Sequence, residues 1–293
     1  MAQSSVTVNV RDAETGKGVS ARFQYDGEAK RMQKPAKSLV RGNQILVESA
    51  MTLKPPPGKY GFRLERGPEF QGIRGSFEVQ RQTAGTEDFE IRHSTPMRRM
   101  GWWSGDLLST LPEKELLRWA QADALDVVRT SLSEEDATYR WSAQSKGMSQ
   151  AMGLIVHGWR PTDVHFEWET GVDLLQQAKA AGKGVHAEVQ SLWAPEVPLW
   201  LASGHVDSVQ LLSTHLSPDA ATQLDRSIRN PDPQRFQGKR GSGRLAEHLY
   251  WQCLEAGLRL PLSAGSGFGT VANTHLGYNR VYVMMSPKAK ARL

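Results

Sequence analysis

Apolar and polar residues alternate one for one early in the chain. Val6, Val8 and Val10 are interleaved with Thr7 and Asn9. A period of two is the pattern of a strand with one buried face. Asp12-Ala13-Glu14-Thr15-Gly16-Lys17-Gly18 then supplies turn chemistry. Ala21-Arg22-Phe23-Gln24-Tyr25 and Gln44-Ile45-Leu46-Val47 resume as strands. Pro55-Pro56-Pro57-Gly58-Lys59 leads into another at Tyr60-Gly61-Phe62-Arg63-Leu64, and Phe77/Val79 and Phe89/Ile91 alternate again. Short strands separated by turns predict an antiparallel β-sandwich over residues 1–95.

The pattern changes after the polar, proline-containing stretch His93-Ser94-Thr95-Pro96-Met97-Arg98-Arg99-Met100, which reads as a linker. Trp102 to Thr110 reads as a strand. Thr110-Leu111-Pro112-Glu113 has the hydroxyl-to-carboxylate spacing of a capping box, with Leu116, Leu117, Ala120 and Ala124 following at helical spacing. Strands are predicted at Leu125–Thr130, Met152–His157, Gly184–Val189, Val206–Leu212 and Asn279–Met285. Helical segments lie between them, one ending at Gly182 and another opening at Pro195-Glu196-Val197-Pro198. Strands alternating with helices predict an α/β domain with mainly parallel pairing over residues 96–293.

Composition narrows the classes. The chain has 293 residues, 39% hydrophobic and 23% charged, as in a globular protein with a sizeable core. No apolar run reaches membrane-spanning length. The start, Met1-Ala2-Gln3-Ser4-Ser5, lacks the basic and apolar regions of a signal peptide, which leaves a cytoplasmic and an exported protein both open. The net charge is +5, but the basic residues are scattered apart from the tail at Lys288, Lys290 and Arg292. No nucleic-acid motif accompanies them, so a solvated basic surface is expected and no nucleic-acid partner. The single cysteine, Cys253, excludes an intrachain disulfide and a cysteine-rich zinc site; its helical surroundings predict a buried small residue.

Several motifs carry a resemblance. Gly101-Trp102-Trp103-Ser104-Gly105-Asp106-Leu107 resembles the entry strand of the carbaryl-hydrolase-like branch of the PHP (polymerase and histidinol phosphatase) metallohydrolases. His186-Ala187-Glu188-Val189 is similar to that family's Asp-x-Glu-Lys strand, and Glu196-Val197-Pro198-Leu199-Trp200 to its Asp-Val-Pro-Val-Trp helix. Val206-Asp207-Ser208 with His215 resembles Ile-Asp-Ser followed by Asn-Asn-His. Gly257-Leu258-Arg259-Leu260-Pro261-Leu262-Ser263-Ala264-Gly265-Ser266 and Gly277-Tyr278-Asn279-Arg280-Val281-Tyr282-Val283 resemble two late motifs. The earlier region resembles a transthyretin-like or carboxypeptidase-regulatory-like sandwich. The resemblance implies a distorted β/α barrel after the sandwich. A full barrel needs about 250 residues, so an open or shortened one is expected here.

The resemblance also implies a metal centre, and this sequence departs from it. The family's His-x-His falls on Leu108-Ser109-Thr110, its Asp-His near Leu132-Ser133, and the Asp of its Gly-Ser-Asp on Gly267. Asp106, Glu188 and His215 remain at matching places as metal-ligand candidates, with His186 expected beside them in one cleft. Carboxylate and neutral imidazole are the ligand types that hold Zn²⁺ or Mn²⁺ and activate water. Each survivor also has a plain structural role: Asp106 in a turn, Glu188 as a buried carboxylate, His157, His186 and His215 at strand ends. Trp102, Trp103, Trp193 and Trp200 are read as packing residues. Three functions stay open. The first is a degenerate metallohydrolase relative with a cleft for a small-molecule ligand and no metal or a weakly bound one. The second is an active metal-dependent hydrolase of ester, carbamate or phosphoester bonds. The third is a non-enzymatic surface or carbohydrate-binding module.

Overall fold

A computed structural model describes residues 4–26, 38–82, 84–130, 139–141, 153–157, 170–182, 185–216, 232, 234–238, 240–269 and 274–285. For Asp26, 139–141 and His215 it describes the backbone alone. The protein is rich in β-structure and divides into two compact units. The first comprises Met1–Ser104, Lys114–Val127 and Tyr282–Leu293; the second comprises Gly105–Glu113 and Val128–Val281. The division is not a single point along the chain, and the first unit holds residues well beyond 95.

Among the described residues, the first unit's sandwich contains the strands β1 (Ser5–Asp12), β2 (Ser20–Asp26), β3 (Val40–Arg41), β4 (Gln44–Glu48), β5 (Ala50–Leu53), β6 (Gly58–Glu65), β7 (Ile73–Val79) and β8 (Ala84–Ile91). They form two sheets, β5-β1-β8 and β3-β4-β2-β6-β7, around one shared core. The valine alternation in β1 works as expected: Val6, Val8 and Val10 are buried while their neighbours are not. Asp12 ends the strand, its Oδ1 accepting from the Glu14 and Thr15 N–H groups in an Asx turn. Phe62 joins the sheets, stacking on Phe23 at 5.6 Å and meeting Phe89 of the other sheet at 5.1 Å. One pairing departs from the antiparallel expectation: β1 runs parallel to β8. The reason is topological. The two strands are the first and last of this region, so no hairpin turn dictates their relative direction.

Helix α1 (Glu113–Ala122) buries Leu116, Trp119 and Ala120. Leu117 is exposed, and Ala124 lies past the helix end with φ 51°. The helix starts at Glu113, so Thr110 stands upstream of the capping position; its N–H donates instead to the Phe268 carbonyl. Within the first unit, Arg22 is buried and pairs with Asp123 and Glu65.

Strands β9 (Trp102–Ser109), β10 (Val127–Thr130) and β16 (Val281–Met284) form a three-stranded sheet with β9 in the middle. The second unit's main sheet has the order β11-β12-β13-β14-β15, from Tyr139–Trp141, Leu154–His157, His186–Val189, Ser208–Leu212 and Leu262–Ala264. Its helices are α2 (Gly171–Ala180), α3 (Val197–Ala202) and α4 (Gly241–Glu255). Pairing is parallel from β13 to β15, as expected, but antiparallel from β11 to β13. His157 pairs with His186, so the chain leaves β12 and enters β13 at the same end of the sheet, although α2 lies between them.

One face of this sheet is apolar. Leu154, Val156, Ala187, Val189 and Val209 form a core with Leu174, Leu175 and Ala178 of α2 and with Val197, Trp200 and Leu201 of α3. Cys253 of α4 packs against it, partly buried. Helix α2 is set by a complete capping box, in which the Thr170 hydroxyl accepts from the Asp173 N–H and the Asp173 carboxylate accepts from the Thr170 N–H.

Replacing Phe23 by Ala removes a fully buried ring from the first unit's core. Equilibrium denaturation should show a loss of about 3–5 kcal/mol. A loss below about 1 kcal/mol would mean that the two sheets do not share this core.

Candidate functional site

The second unit's sheet has another face, and it is polar. Side chains alternate along a strand, and paired residues on neighbouring strands share a face. The registers therefore place Ile155, His157, His186, Glu188, Ser208, Gln210 and Ser263 together, opposite the helix-covered side. A polar sheet face is ordinarily solvated. Here it is buried: Glu188 is 0% exposed, Gln210 1% and His157 2%.

Burial forces each of these groups to find a partner. Glu188 Oε1 accepts from the Ser263 hydroxyl and, at 3.4 Å, from Gln210 Nε2. Glu188 Oε2 lies 3.1 Å from His157 Nε2. Gln210 is oriented from its far side, where its Oε1 accepts from the Ser213 hydroxyl at 2.8 Å and from Gln190 Nε2 at 3.3 Å. The amide nitrogen is thereby turned toward Glu188.

Asp106, also 0% exposed, sits in a second set of bonds. Its Oδ1 accepts from the Ser266 N–H at 3.0 Å and the Leu108 N–H at 3.2 Å, and its Oδ2 from the Gly277 N–H at 2.7 Å. Burial pushes this carboxyl above its ordinary range, against the pull of Ser266, Gly277 and Leu108. Gly277 has φ 70°, a left-handed conformation that a side chain would strain. The two carboxylates belong to one continuous network. Ser266 exchanges hydrogen bonds with the Asn279 backbone, Asn279 Nδ2 donates to the Ser213 carbonyl at 2.8 Å, and the Ser213 hydroxyl reaches Gln210. Asp106, Ser266, Asn279, Ser213, Gln210 and Glu188 thus form a buried chain of polar groups.

His186 lies on the same face as Glu188, two residues earlier on β13. Its Nε2 is 2.8 Å from the Ser208 hydroxyl, and its ring centroid is 5.9 Å from that of His157. Burial lowers the imidazole pKa; Asp207 and Glu188 raise it in part, and His157 and Arg129 add to the lowering. Asp207 itself is held below the usual carboxylate range: burial would raise it, but Lys179, the Ala187 N–H and His186 together outweigh that effect.

Of the residues singled out in the sequence, Asp106, Glu188 and His186 fall within or beside this network. His215 is in a 3-10 turn, Thr214–Leu216, and its side chain lies outside the described residues, as do Leu132 and Ser133. Leu108 is buried, and Gly267 adopts φ 65° and donates its N–H to the Leu108 carbonyl. Leu108 and Gly267 offer no ligand atom from a side chain. Among the described residues, no group of three or more His, Cys, Asp or Glu is placed to hold one metal ion. Trp200 is in the apolar core, its Nε1 donating to Glu196 at 3.2 Å.

The sequence reading missed Gln190, Gln210, Ser213, Ser263, Ser266 and Asn279 as members of the site. A signal was present for several of them. His186, Glu188 and Gln190 alternate with Ala187 and Val189, and Ser208 and Gln210 alternate with Val209 and Leu211. Alternation in strands that also pack against helices marks a second, polar face.

Gly265 is where this network is most tightly packed. A Cβ there would collide with Leu108 Cβ and lie 2.7 Å from Gln210 Nε2. Gly265→Ala should cost about 1–3 kcal/mol in denaturant unfolding, as overpacked substitutions do. An unchanged unfolding midpoint would show that Gln210 is not held against this glycine.

No protein-family model matches the chain, and no curated protein matches it. Solved structures give short, distant likenesses. The Bacillus anthracis TIE protein is 16% identical over 37% of this chain, with a TM-score of 0.24. A streptococcal ancillary pilin is 12% identical over 38%, with a TM-score of 0.26. Phospholipase PlaB from Legionella pneumophila, in complex with thio-NAD, is 9% identical over 31%, with a TM-score of 0.21. The chain covers 19%, 37% and 26% of those three proteins in turn. Likenesses at these scores carry no statement about fold or function.

Proposed function

We propose that this protein is a degenerate relative of the carbaryl-hydrolase-like PHP metallohydrolases. In this reading the second unit is built on a distorted β/α barrel. Its polar interior holds a small-molecule ligand where active relatives hold a catalytic metal centre. The reading is carried by one observation: residues from four separate motifs, with Gln210 from just beyond a fifth, meet in one buried network. Asp106 comes from the entry strand, Glu188 from β13, Gln210 from just after Val206-Asp207-Ser208, and Ser263 with Ser266 and Asn279 from the two late motifs.

Among the described residues, no set of side chains fits a metal centre, and no reaction step is assigned to one. Asp106 directs both oxygens at backbone N–H groups, and both oxygens of Glu188 are engaged by protein side chains. A carboxylate that coordinates a cation turns lone pairs toward it. Leu108 and Gly267, at two of the family's ligand positions, bring an apolar side chain and none at all. The remaining chemistry is recognition: a buried surface of amide, hydroxyl, imidazole and carboxylate groups suited to fixing a polar ligand's orientation.

The decisive experiment is elemental analysis of protein produced with added zinc and manganese, together with turnover of p-nitrophenyl acetate and bis(p-nitrophenyl) phosphate. Metal should be well below one equivalent and turnover near background. Stoichiometric metal removable by chelator, with hydrolysis abolished by Glu188→Gln, would replace this reading by that of an active metal-dependent hydrolase.

A further inference from the structure

The two sheets of the first unit are unequal: one has the strands β5-β1-β8, the other β3-β4-β2-β6-β7. They face each other strand by strand. β4 passes into β5 through Ser49, β1 bonds to β2 where the Val19 N–H donates to the Val10 carbonyl, and Phe62 of β6 meets Phe89 of β8 at 5.1 Å. β7 lies one strand beyond β6, while the smaller sheet ends at β8, so β7 faces no strand among the described residues. Burial records the difference. Phe62 and Leu64 of β6 are buried, whereas Ile73 and Phe77 of β7 are only partly buried and Gly75 between them is exposed. β8 pairs only with β1 among the described residues. Its other edge therefore presents a row of backbone N–H and C=O groups, the template on which a further strand adds. Residues 84–88 are exposed on both faces of this strand.

The side chains of β8 select what can add. Thr86, Asp88 and Glu90 lie on the outer face with Thr7, Asn9 and Arg11; Gly85, Glu87 and Phe89 lie on the inner face with Val6, Val8 and Val10. Asn9 donates to Asp88 at 2.9 Å, and Arg11 stands opposite Glu90. Glu87 stands opposite Val8, which brings no charge to it, and is exposed. An inward-pointing acid guards a free edge against its own kind, because a second copy of β8 would bring like charges together. The same carboxylate favours a Lys- or Arg-bearing strand. We propose that the free edge of β8 docks an extended segment of a partner protein that mixes Lys or Arg with apolar residues. Its backbone bonds to β8, its apolar side chains cover Ile73 and Phe77, and its basic side chains meet Glu87, Asp88 and Glu90. This site belongs to the first unit alone and is independent of the ligand-binding reading of the second.

The test uses the full chain and the peptide acetyl-Lys-Val-Lys-Val-Lys-Val-amide, with acetyl-Glu-Val-Glu-Val-Glu-Val-amide as the control. Titration calorimetry should show saturable binding of the basic peptide and none of the acidic one. Amide hydrogen exchange at residues 84–88 should slow in the complex, as it does when a strand edge becomes paired. The double variant Glu87→Lys/Asp88→Lys reverses the charge on both faces of the edge at exposed positions. It should bind the basic peptide about tenfold more weakly or worse. Equal binding of the acidic peptide overturns the chemistry of the occupant. Binding of the basic peptide without slower exchange in β8 places it elsewhere and overturns the site, whether or not the variant folds. Wild-type affinity in the double variant overturns the role of the acids. A dimer of the full chain that protects the same amides makes a second copy the occupant and overturns the partner. Absence of saturable binding overturns the proposal as a whole.

Discussion

A carboxylate without water must be given donors by the protein, and the second unit is arranged around two of them. Asp106 and Glu188 are both fully buried. An unpaired buried charge costs several kcal/mol, enough to consume a large part of a domain's net stability. Three backbone N–H groups converge on Asp106, brought from Leu108, Ser266 and Gly277. Those residues are far apart in sequence, so one side chain fixes the path of three chain segments. The left-handed backbone at Gly277 is part of the same requirement, because it lets the N–H approach the carboxylate.

The two faces of the main sheet divide the physical work. The helix-covered face supplies the hydrophobic driving force through Leu154, Val156, Val189 and their partners on α2 and α3. The other face contributes little of that and must instead satisfy every polar group it buries. A network of this kind is specific because each member orients the next. Ser213 and Gln190 hold the Gln210 amide, Gln210 points at Glu188, and Glu188 holds His157 Nε2 at 3.1 Å. Replacing one member by an apolar residue would leave its neighbours unpaired, which costs more than the lost bond itself.

Much of the fold was legible from periodicity. Val6, Val8 and Val10 bury as their alternation requires, and most helices lie where apolar residues recur at helical spacing. Strand direction was not legible, because alternation reports which face is buried and says nothing about which neighbour a strand pairs with. The parallel β1–β8 pair and the antiparallel β12–β13 pair are of that kind. The site was legible in part. Asp106 and Glu188 stood out because they fall at acidic positions of the motifs that carry the family resemblance. Gln210, Ser263 and Asn279 did not, because serine and amide side chains are common everywhere and only the register places them beside a carboxylate. The helix begins at Glu113 and not directly after Thr110, whose N–H pairs with the Phe268 carbonyl and extends the strand bonding past β9.

The replaced ligand positions are consistent with one another under the proposed reading. A histidine pair that binds metal must project its rings toward the centre of the site. Leu108 occupies such a position with an apolar side chain, packed so closely on Gly265 that no Cβ is tolerated there. Gly267 contributes a backbone N–H to the Leu108 carbonyl in a left-handed turn that favours glycine. Both substitutions bring backbone segments close together. Gln210, which reaches Glu188, packs against the same glycine. On this view the loss of ligand atoms and the gain of the amide–carboxylate network are a single rearrangement.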